Sequence, residues 1–130
     1  MPYEYKCYDL LTYMAKNKIP IEINLYSNEF ILKVKDDEHP FTLYKQFNVP
    51  IVICTDDAGV LRSNLIRQYV LLAKRYKEVS YEDIKHYVFN SIDYSFIKED
   101  AVKEKLKSDL RTQFREFEKE VLATHLNIAY

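Results

Sequence analysis

The segment Val49–Val60, with the sequence VPIVICTDDAGV, decides the fold of this chain. Its apolar first half is typical of a parallel strand that is buried on both faces. The run ends in two adjacent acids, and Gly59, the only glycine of the chain, follows two residues after the second acid. We therefore predict a buried strand from Val49 to Thr55 that delivers Asp56 and Asp57 into a loop.

A second strand and several helices surround this segment. Ile19–Tyr26 alternates apolar and polar residues, which predicts a strand, and Pro20 fits only at its start. Ser27–Glu38 is predicted to form a turn and a short helical piece. Helices are predicted by three- and four-residue apolar spacing and by cap residues; they span Tyr3–Asn17, His39-Pro40 to about Phe47, Leu65–Tyr76, a helix opened by a Ser80/Asp83 capping box and ending near Tyr94, and Glu99–Leu122.

The alternation of helices and strands indicates βαβ units and a parallel sheet. However, only two strands are convincing, and a sheet that is stable on its own usually has three or more. Two interpretations remain open. Residues 1–130 form a single, mostly helical domain with a small sheet, or the two strands pair with another chain.

Composition narrows the function classes. The 130 residues are 48% hydrophobic and 30% charged, with a net charge of −1 and a pI near 6.3, so the basic excess of a nucleic-acid binder is missing. No apolar run approaches the roughly 18 residues of a membrane helix, and the N-terminus has no signal-peptide pattern. The chain as given is predicted to be soluble and cytoplasmic, with no nucleic-acid or membrane partner.

The acid pair has two interpretations. Active sites of (β/α)₈ barrels are built at the C-terminal ends of the strands. Because side chains alternate along a strand, Asp56 and Asp57 are predicted to diverge, one as a metal ligand and the other toward a substrate. Alternatively, the segment is an ordinary βα loop in which Asp57 or Thr55 caps a turn.

Several motifs, in order, resemble the adenosine deaminase family and its growth-factor relatives over about Cys7 to Leu110. The matching segments are Asp9–Ile23 for the helix and strand before the family's C-P-x-S-N motif, Tyr26-Ser27-Asn28 for the end of that motif, His39-Pro40 for its His-Pro, Val49–Asp57 for its G-V-P-V-x-I-x-T-D-D strand, and Asn90–Phe96 for its N-S-I/F-x-x-S-F helix. Asn24-Leu25 departs from the pattern, because the family has Cys-Pro there.

The resemblance implies an α/β fold that is a partial (β/α)₈ TIM barrel. A complete barrel takes about 250 residues, so this helix-rich chain is expected to hold about strands seven and eight with their flanking helices. The resemblance also implies residue roles. Asp56 is expected to be a zinc ligand, and Asp57 and Ser27 are expected to bind the purine substrate.

The histidines of the chain do not match the family's metal site. That site needs a His-x-His motif and two further histidines, and a glutamate serves as proton shuttle. The chain has only His39, His86 and His125, none of them in such a motif. A catalytic zinc needs three protein ligands, and Asp56 is the one that we can name. We therefore expect no metal histidine, no catalytic residue and no tightly bound zinc in this chain alone.

Three functional hypotheses follow. The first is the C-terminal portion of an adenosine-deaminase-like zinc hydrolase, which converts adenosine and water to inosine and ammonia and is inactive without its missing N-terminal portion. The second is a non-catalytic interaction module that kept the barrel scaffold and self-associates, because unpaired strand edges invite pairing. The third is a nucleoside-binding protein that uses Asp57 and Ser27.

Overall fold

The computed structural model describes the backbone of residues 2–128 and the side chains of residues 6–124. This part of the chain contains two strands and seven helices, with a short 3-10 turn at Asp36–Glu38. In chain order the elements are α1 (Pro2–Lys16), β1 (Ile21–Ile23), α2 (Leu25–Leu32), α3 (Phe41–Gln46), β2 (Ile51–Ile53), α4 (Ala58–Leu61), α5 (Leu65–Arg75), α6 (Tyr81–Asp93) and α7 (Asp100–Ile128).

The two strands form a parallel pair, as the alternation of elements predicts. Ile21 lies opposite Ile51, and Ile23 lies opposite Ile53. The amide of Ile21 donates to the carbonyl of Pro50 at 2.8 Å, and the amide of Cys54 donates to the carbonyl of Ile23 at 3.0 Å. This register places the carboxyl ends of both strands at the same edge of the sheet.

The first strand is shorter than predicted. We expected Ile19–Tyr26, but β1 ends at Ile23 and Leu25 already begins helix α2. Asn24 separates the two elements with φ −120° and ψ 70°, outside helical geometry. The alternation of Ile23 and Leu25 was therefore misleading, because both side chains are buried although they belong to different elements.

One aromatic-rich core lies between the sheet and helices α3, α5 and α6. Phe41 is fully buried, and its ring centroid lies 4.4 Å from that of Tyr76 and 6.2 Å from that of Tyr87. The cluster of buried residues comprises Ile23, Leu25, Phe41, Ile51, Ile53, Leu72, Tyr76 and Tyr87. Tilted and edge-on ring pairs of this kind add to the stability that burial provides.

Helix α6 fixes the second strand against this core. The Ser80 hydroxyl accepts from the amide of Asp83, and the Asp83 carboxylate accepts from the amide of Ser80, so the predicted capping box is confirmed. Farther along the helix, Asn90 is buried and its side-chain amide donates to the carbonyl of Ile51 at 2.8 Å. The helix therefore contacts the backbone of β2 as well as its side chains.

The chain divides into two compact units, residues 1–94 and 95–130. The first contains the sheet and the core, and the second contains α7. The expectation that residues 1–130 form a single domain stays a prediction. None of the helices among the described residues combines the length and the apolar character that a membrane crossing requires.

Candidate functional site

The acid pair lies in a tight turn after β2. The strand ends at Ile53, and Asp56 has a left-handed backbone with φ 53°. The amide of Ala58 donates to the carbonyl of Asp56 at 2.8 Å across Asp57, whose φ of −77° and ψ of 65° define an inverse γ-turn. The turn, and not strand alternation, therefore sets the directions of the two carboxylates.

Gly59 does not make this turn possible. It lies inside the short helix α4 and has no positive φ. A Cβ atom at this position would meet nothing within 4 Å. The left-handed positions that flank α4 are Asp56 and Arg62. Left-handed backbone at an L-residue is uncommon, and aspartate is among the residues that tolerate it best.

Ser27 and Asp56 meet at the carboxyl edge of the sheet. Ser27 lies in α2, just after β1, and its side chain is 3% exposed. Its hydroxyl donates to the Asp56 carboxylate at 2.6 Å across 29 residues of sequence. The structure thus brings together two of the three predicted site residues. Because the Ser27 hydroxyl is used in this way, its contact with a substrate stays a prediction.

Gln68 on α5 links the first turn of α2 to the segment between α4 and α5. Its side chain is fully buried; its carbonyl oxygen accepts from the amide of Tyr26 at 3.2 Å, and its amide nitrogen lies 3.2 Å from the Ser63 hydroxyl. The sequence analysis missed this residue. A usable indication existed, because Gln68 falls on the buried stripe of α5, four residues before the buried Leu72.

Asp57 differs from its neighbour. It occupies the position before the first residue of α4, but its side chain makes no capping hydrogen bond. Like Asp56, the residue is exposed. The alternative in which the Asp57 carboxylate caps the turn is therefore not what the structure shows, and this carboxylate is available to a donor from outside the loop.

A buried hydrogen-bond acceptor lies at the carboxyl end of β1. Asn24 follows β1 directly, and its side-chain oxygen is buried without a hydrogen-bond partner among the described protein atoms. Buried polar atoms are usually satisfied, so an orphan of this kind calls for an explanation. It adds an unused acceptor at the sheet edge that carries Ser27 and Asp56.

The side chains of two of the histidines are described, and His39 makes its hydrogen bonds outside the acid pair. The Nδ1 atom of His39 accepts from the amide of Phe41 at 3.1 Å, and its Nε2 atom lies 3.0 Å from the side-chain oxygen of Asn28. Burial, and then the nearby Arg75 charge, lower the pKa of His39 below 6.5. His86 is exposed on α6. The side chain of His125 lies outside the described residues.

The donor set does not fit a complete zinc site. No group of three or more histidines, cysteines, aspartates or glutamates able to hold a metal ion occurs among the described side chains. Asp56 offers one carboxylate, whereas a catalytic zinc requires three protein ligands and an open position. The expectation that this chain alone binds no zinc tightly stays a prediction.

A sequence model of the family described as Adenosine deaminase matches residues 5–113. The chain is 32% identical over 101 residues to the adenosine deaminase of Clostridium kluyveri, covering 77% of this chain and 29% of that relative. It is 30% identical over 115 residues to the human N6-methyl-AMP deaminase, covering 88% of this chain and 31% of the relative.

Solved structures give the same family. The apo N6-methyl-AMP deaminase from Arabidopsis thaliana superposes with a TM-score of 0.70 at 29% identity, covering 79% of this chain and 30% of that one. A crystal structure of Arabidopsis ADAL complexed with IMP also gives a TM-score of 0.70, at 27% identity. The chain thus spans about 30% of the length of the relatives that it matches.

Proposed function

Since this chain belongs to the adenosine deaminase family, we propose that it provides the C-terminal two strands and the acid pair of a deaminase barrel. On this proposal β1 and β2 are strands seven and eight. The single observation that carries the proposal is the convergence of Ser27 and Asp56, with Asp57 beside them, at the carboxyl edge of the parallel pair. This is the edge at which barrel enzymes place their chemistry.

The proposed reaction is the hydrolytic removal of an amine from carbon 6 of a purine. Adenosine and water give inosine and ammonia, and N6-methyl-AMP and water give IMP and methylamine. The names of the relatives support this class, because one group deaminates adenosine and another deaminates N6-methyl-AMP. In both reactions the amine leaves a purine ring carbon and an oxygen from water replaces it.

Within that reaction we assign separate roles to the two acids. The Asp57 carboxylate, which is exposed and makes no capping bond, accepts a hydrogen bond from the N–H of the amine on carbon 6 of the purine. Asp56 contributes its carboxylate to the reaction centre, and the Ser27 hydroxyl holds that carboxylate in one orientation. Charge-assisted bonds of this length are among the stronger hydrogen bonds in proteins.

No step of the reaction is assigned to a metal held by this chain alone. The family resemblance implies zinc, but the described side chains supply one carboxylate and no histidine to such a site. On this proposal the isolated chain is inactive. Deamination requires the rest of a barrel to supply the remaining active-site groups around Asp56.

The test joins this chain to the rest of a complete deaminase barrel in one polypeptide. In the Clostridium kluyveri adenosine deaminase, the segment that aligns with this chain is replaced by residues 1–130. The purified chimera is assayed with adenosine and with N6-methyl-AMP. We expect one of the two substrates to be deaminated, and we expect Asp56→Asn and Asp57→Asn each to lower kcat/KM by roughly 100-fold or more.

The matched control for these variants is Asp109→Asn, which changes an exposed aspartate of α7. It should leave kcat/KM within about twofold of the chimera, as expected for an exposed site away from the chemistry. A folded chimera that deaminates neither substrate would contradict the proposal. So would a chimera whose activity is indifferent to both acid substitutions.

A second candidate function is a non-catalytic interaction module. The observation that favours it is a two-stranded sheet with two outer edges, since exposed edges recruit other strands. Sedimentation of the isolated chain over a concentration series tests this candidate. A species that stays monomeric throughout would count against self-association.

A further inference from the structure

A cavity of about 220 Å³ lies at the amino end of β2. Residues 49–51 line it on the strand side, and the rest of its lining comes from α3, from Asn48 and from one face of α6. The acid pair follows the carboxyl end of the same strand, and neither acid lines this cavity. The cavity is therefore separate from the site to which the proposed function belongs.

One face of α6 supplies most of the polar groups of the cavity. Tyr87, Asn90 and Tyr94 follow one another at steps of three and four residues, which places them on the same side of the helix. Tyr87 is 4% exposed and Asn90 is 5% exposed. The cavity therefore reaches two polar side chains that are almost entirely buried.

The side-chain amide of Asn90 is oriented by its contact with the strand. Its nitrogen donates to the Ile51 carbonyl at 2.8 Å. Because that carbonyl can only accept, the amide oxygen is directed away from it. Among the described residues no group donates to this oxygen, and the oxygen is not one of the fully enclosed polar atoms that lack a partner. It is an acceptor that a molecule in the cavity can reach.

The hydroxyl of Tyr87 is a second unused group. It makes no hydrogen bond within the described part of the chain, and it too is outside the set of fully enclosed atoms without a partner. Burial, and then the negative charges of Asp83 and Glu78, raise the pKa of Tyr87. The hydroxyl therefore stays protonated and can donate, and the two carboxylates disfavour an anion beside it.

The volume and the lining groups indicate a planar ligand without a net charge. The cavity has the volume of about seven water molecules, which is enough for a heterocycle of one or two rings. His86, Tyr87 and Tyr94 offer aromatic surfaces, and such surfaces pack well against flat rings. The ammonium group of Lys45, which also lines the cavity, is already paired with Asp83 at 2.8 Å.

We propose that this cavity binds a free nucleobase, a neutral heterocycle that carries an N–H donor beside a carbonyl acceptor. The N–H of the base donates to the Asn90 amide oxygen, and its carbonyl accepts from the Tyr87 hydroxyl. Residues three apart on a helix have their Cβ atoms about 5–6 Å apart, so one edge of a ring can contact both side chains. This proposal does not depend on the proposed function.

The test titrates the whole chain with uracil and with hypoxanthine, which share this edge and differ in the number of rings. NMR follows the side-chain amide of Asn90 near the cavity and the backbone amide of Asp57 at the other end of the strand. For at least one base we expect a saturable shift at Asn90 with a Kd of about 1 mM or tighter, and no shift at Asp57. The control ligand 1,3-dimethyluracil has no N–H donor and should bind at least about tenfold more weakly.

A conservative variant tests the second contact. Tyr87→Phe removes the hydroxyl and keeps the ring that packs against Phe41, so the circular dichroism spectrum should not change. The Kd of the base should rise about tenfold, because one hydrogen bond is lost. The matched control is Tyr69→Phe, which removes the hydroxyl of another partly buried tyrosine outside the cavity and should leave the Kd unchanged.

Each outcome decides the proposal. Saturable shifts at Asn90 that Tyr87→Phe weakens and Tyr69→Phe does not would support it. No shift with either base, at concentrations above the expected Kd, would mean that the cavity holds water only and would overturn it. Shifts at Asp57 in place of Asn90, or binding that neither Tyr87→Phe nor methylation of the base weakens, would overturn it as well.

Discussion

His39 makes two hydrogen bonds, and the one that Nδ1 accepts requires a neutral ring. Nδ1 accepts from the Phe41 amide at 3.1 Å, so in this state the proton resides on Nε2, which faces the Asn28 side-chain oxygen at 3.0 Å. Protonation of Nδ1 would remove the acceptor at the start of α3. Burial, followed by the charge of Arg75, accordingly lowers the pKa of this residue.

The lowered pKa of His39 predicts a pH-dependent stability. Below pH 6.5 the unfolded chain binds a proton at this position while the folded chain resists it, so the free energy of unfolding falls as the pH falls from 6.5 toward the folded pKa. Urea unfolding at pH 7.5 and at pH 5.5 measures the loss. His39→Gln should lose less stability over this interval than the unmodified chain, whereas the exposed His86→Gln should match it. Equal losses in all three proteins would contradict the prediction.

Gln68 is predicted to be the most costly polar residue to replace near the site. Gln68→Leu keeps the volume but leaves the Tyr26 amide and the Ser63 hydroxyl without their partner. An unsatisfied buried group costs about 1–3 kcal/mol; because both bonds are only partly buried, urea unfolding should show a total loss of about 1–3 kcal/mol. Gln113→Leu on the exposed surface of α7 is the control and should stay within about 0.5 kcal/mol. A small effect at Gln68 would mean that its hydrogen bonds to Tyr26 and Ser63 add little to the stability of the fold.

At the scale of elements, the capping box of α6 joins two parts of the fold. Asp83 bonds to Ser80 within the helix and forms an ion pair with Lys45 of α3 at 2.8 Å. Partial burial opposes ionisation, but the hydrogen bonds from Lys45 and Ser80 outweigh it and lower the pKa of Asp83. The first turn of α6 is therefore held both by its own cap and by a neighbouring helix.

Ser80→Ala is predicted to destabilise the fold by about 1 kcal/mol, the usual cost of losing a cap. The helix that loses its cap also holds Tyr87 in the core and Asn90 against β2, so the loss should appear in the unfolding of residues 1–94 as a unit. Near-ultraviolet circular dichroism of the tyrosines follows that unit during urea unfolding. Ser108→Ala, at an exposed position of α7, is the control and should not be destabilised. Equal midpoints for Ser80→Ala and the unmodified chain would show that the cap is dispensable.

Some elements of the fold could be predicted from local sequence patterns, and other features could not. The α6 cap depends on residues three apart and was predictable. The continuous apolar run correctly predicted a buried strand, but β2 spans Ile51–Ile53 and not the whole of Val49–Thr55. The Ser27–Asp56 contact joins residues 29 positions apart, and Gln68 bonds to Tyr26 across 42 positions. Such contacts exist only after the two strands pair, and periodicity within one segment contains no information about them.

At the scale of the whole molecule, the family match covers most of this chain but less than a third of each relative. The family match extends over residues 5–113, yet the chain covers only 29–31% of the curated relatives described above. The acid pair, its serine partner and the glutamine behind them are assembled within residues 1–94 alone. The hydrogen bonds that position these residues thus lie within one compact unit of the chain.

Because these contacts lie within residues 1–94 but Asp56 is the one expected zinc ligand, we predict that the isolated chain folds but does not retain zinc. After incubation with one equivalent of zinc and passage through a desalting column, elemental analysis should find far less than one zinc ion per chain, because a single carboxylate supplies one of the three ligands that a catalytic site needs. Asp56→Asn should then leave the residual zinc content unchanged. In the chimera, which restores the remaining barrel, zinc should reach about one ion per chain, and Asp56→Asn should lower it. Stoichiometric zinc in the isolated chain, lost on Asp56→Asn, would mean that copies of this chain complete the site among themselves.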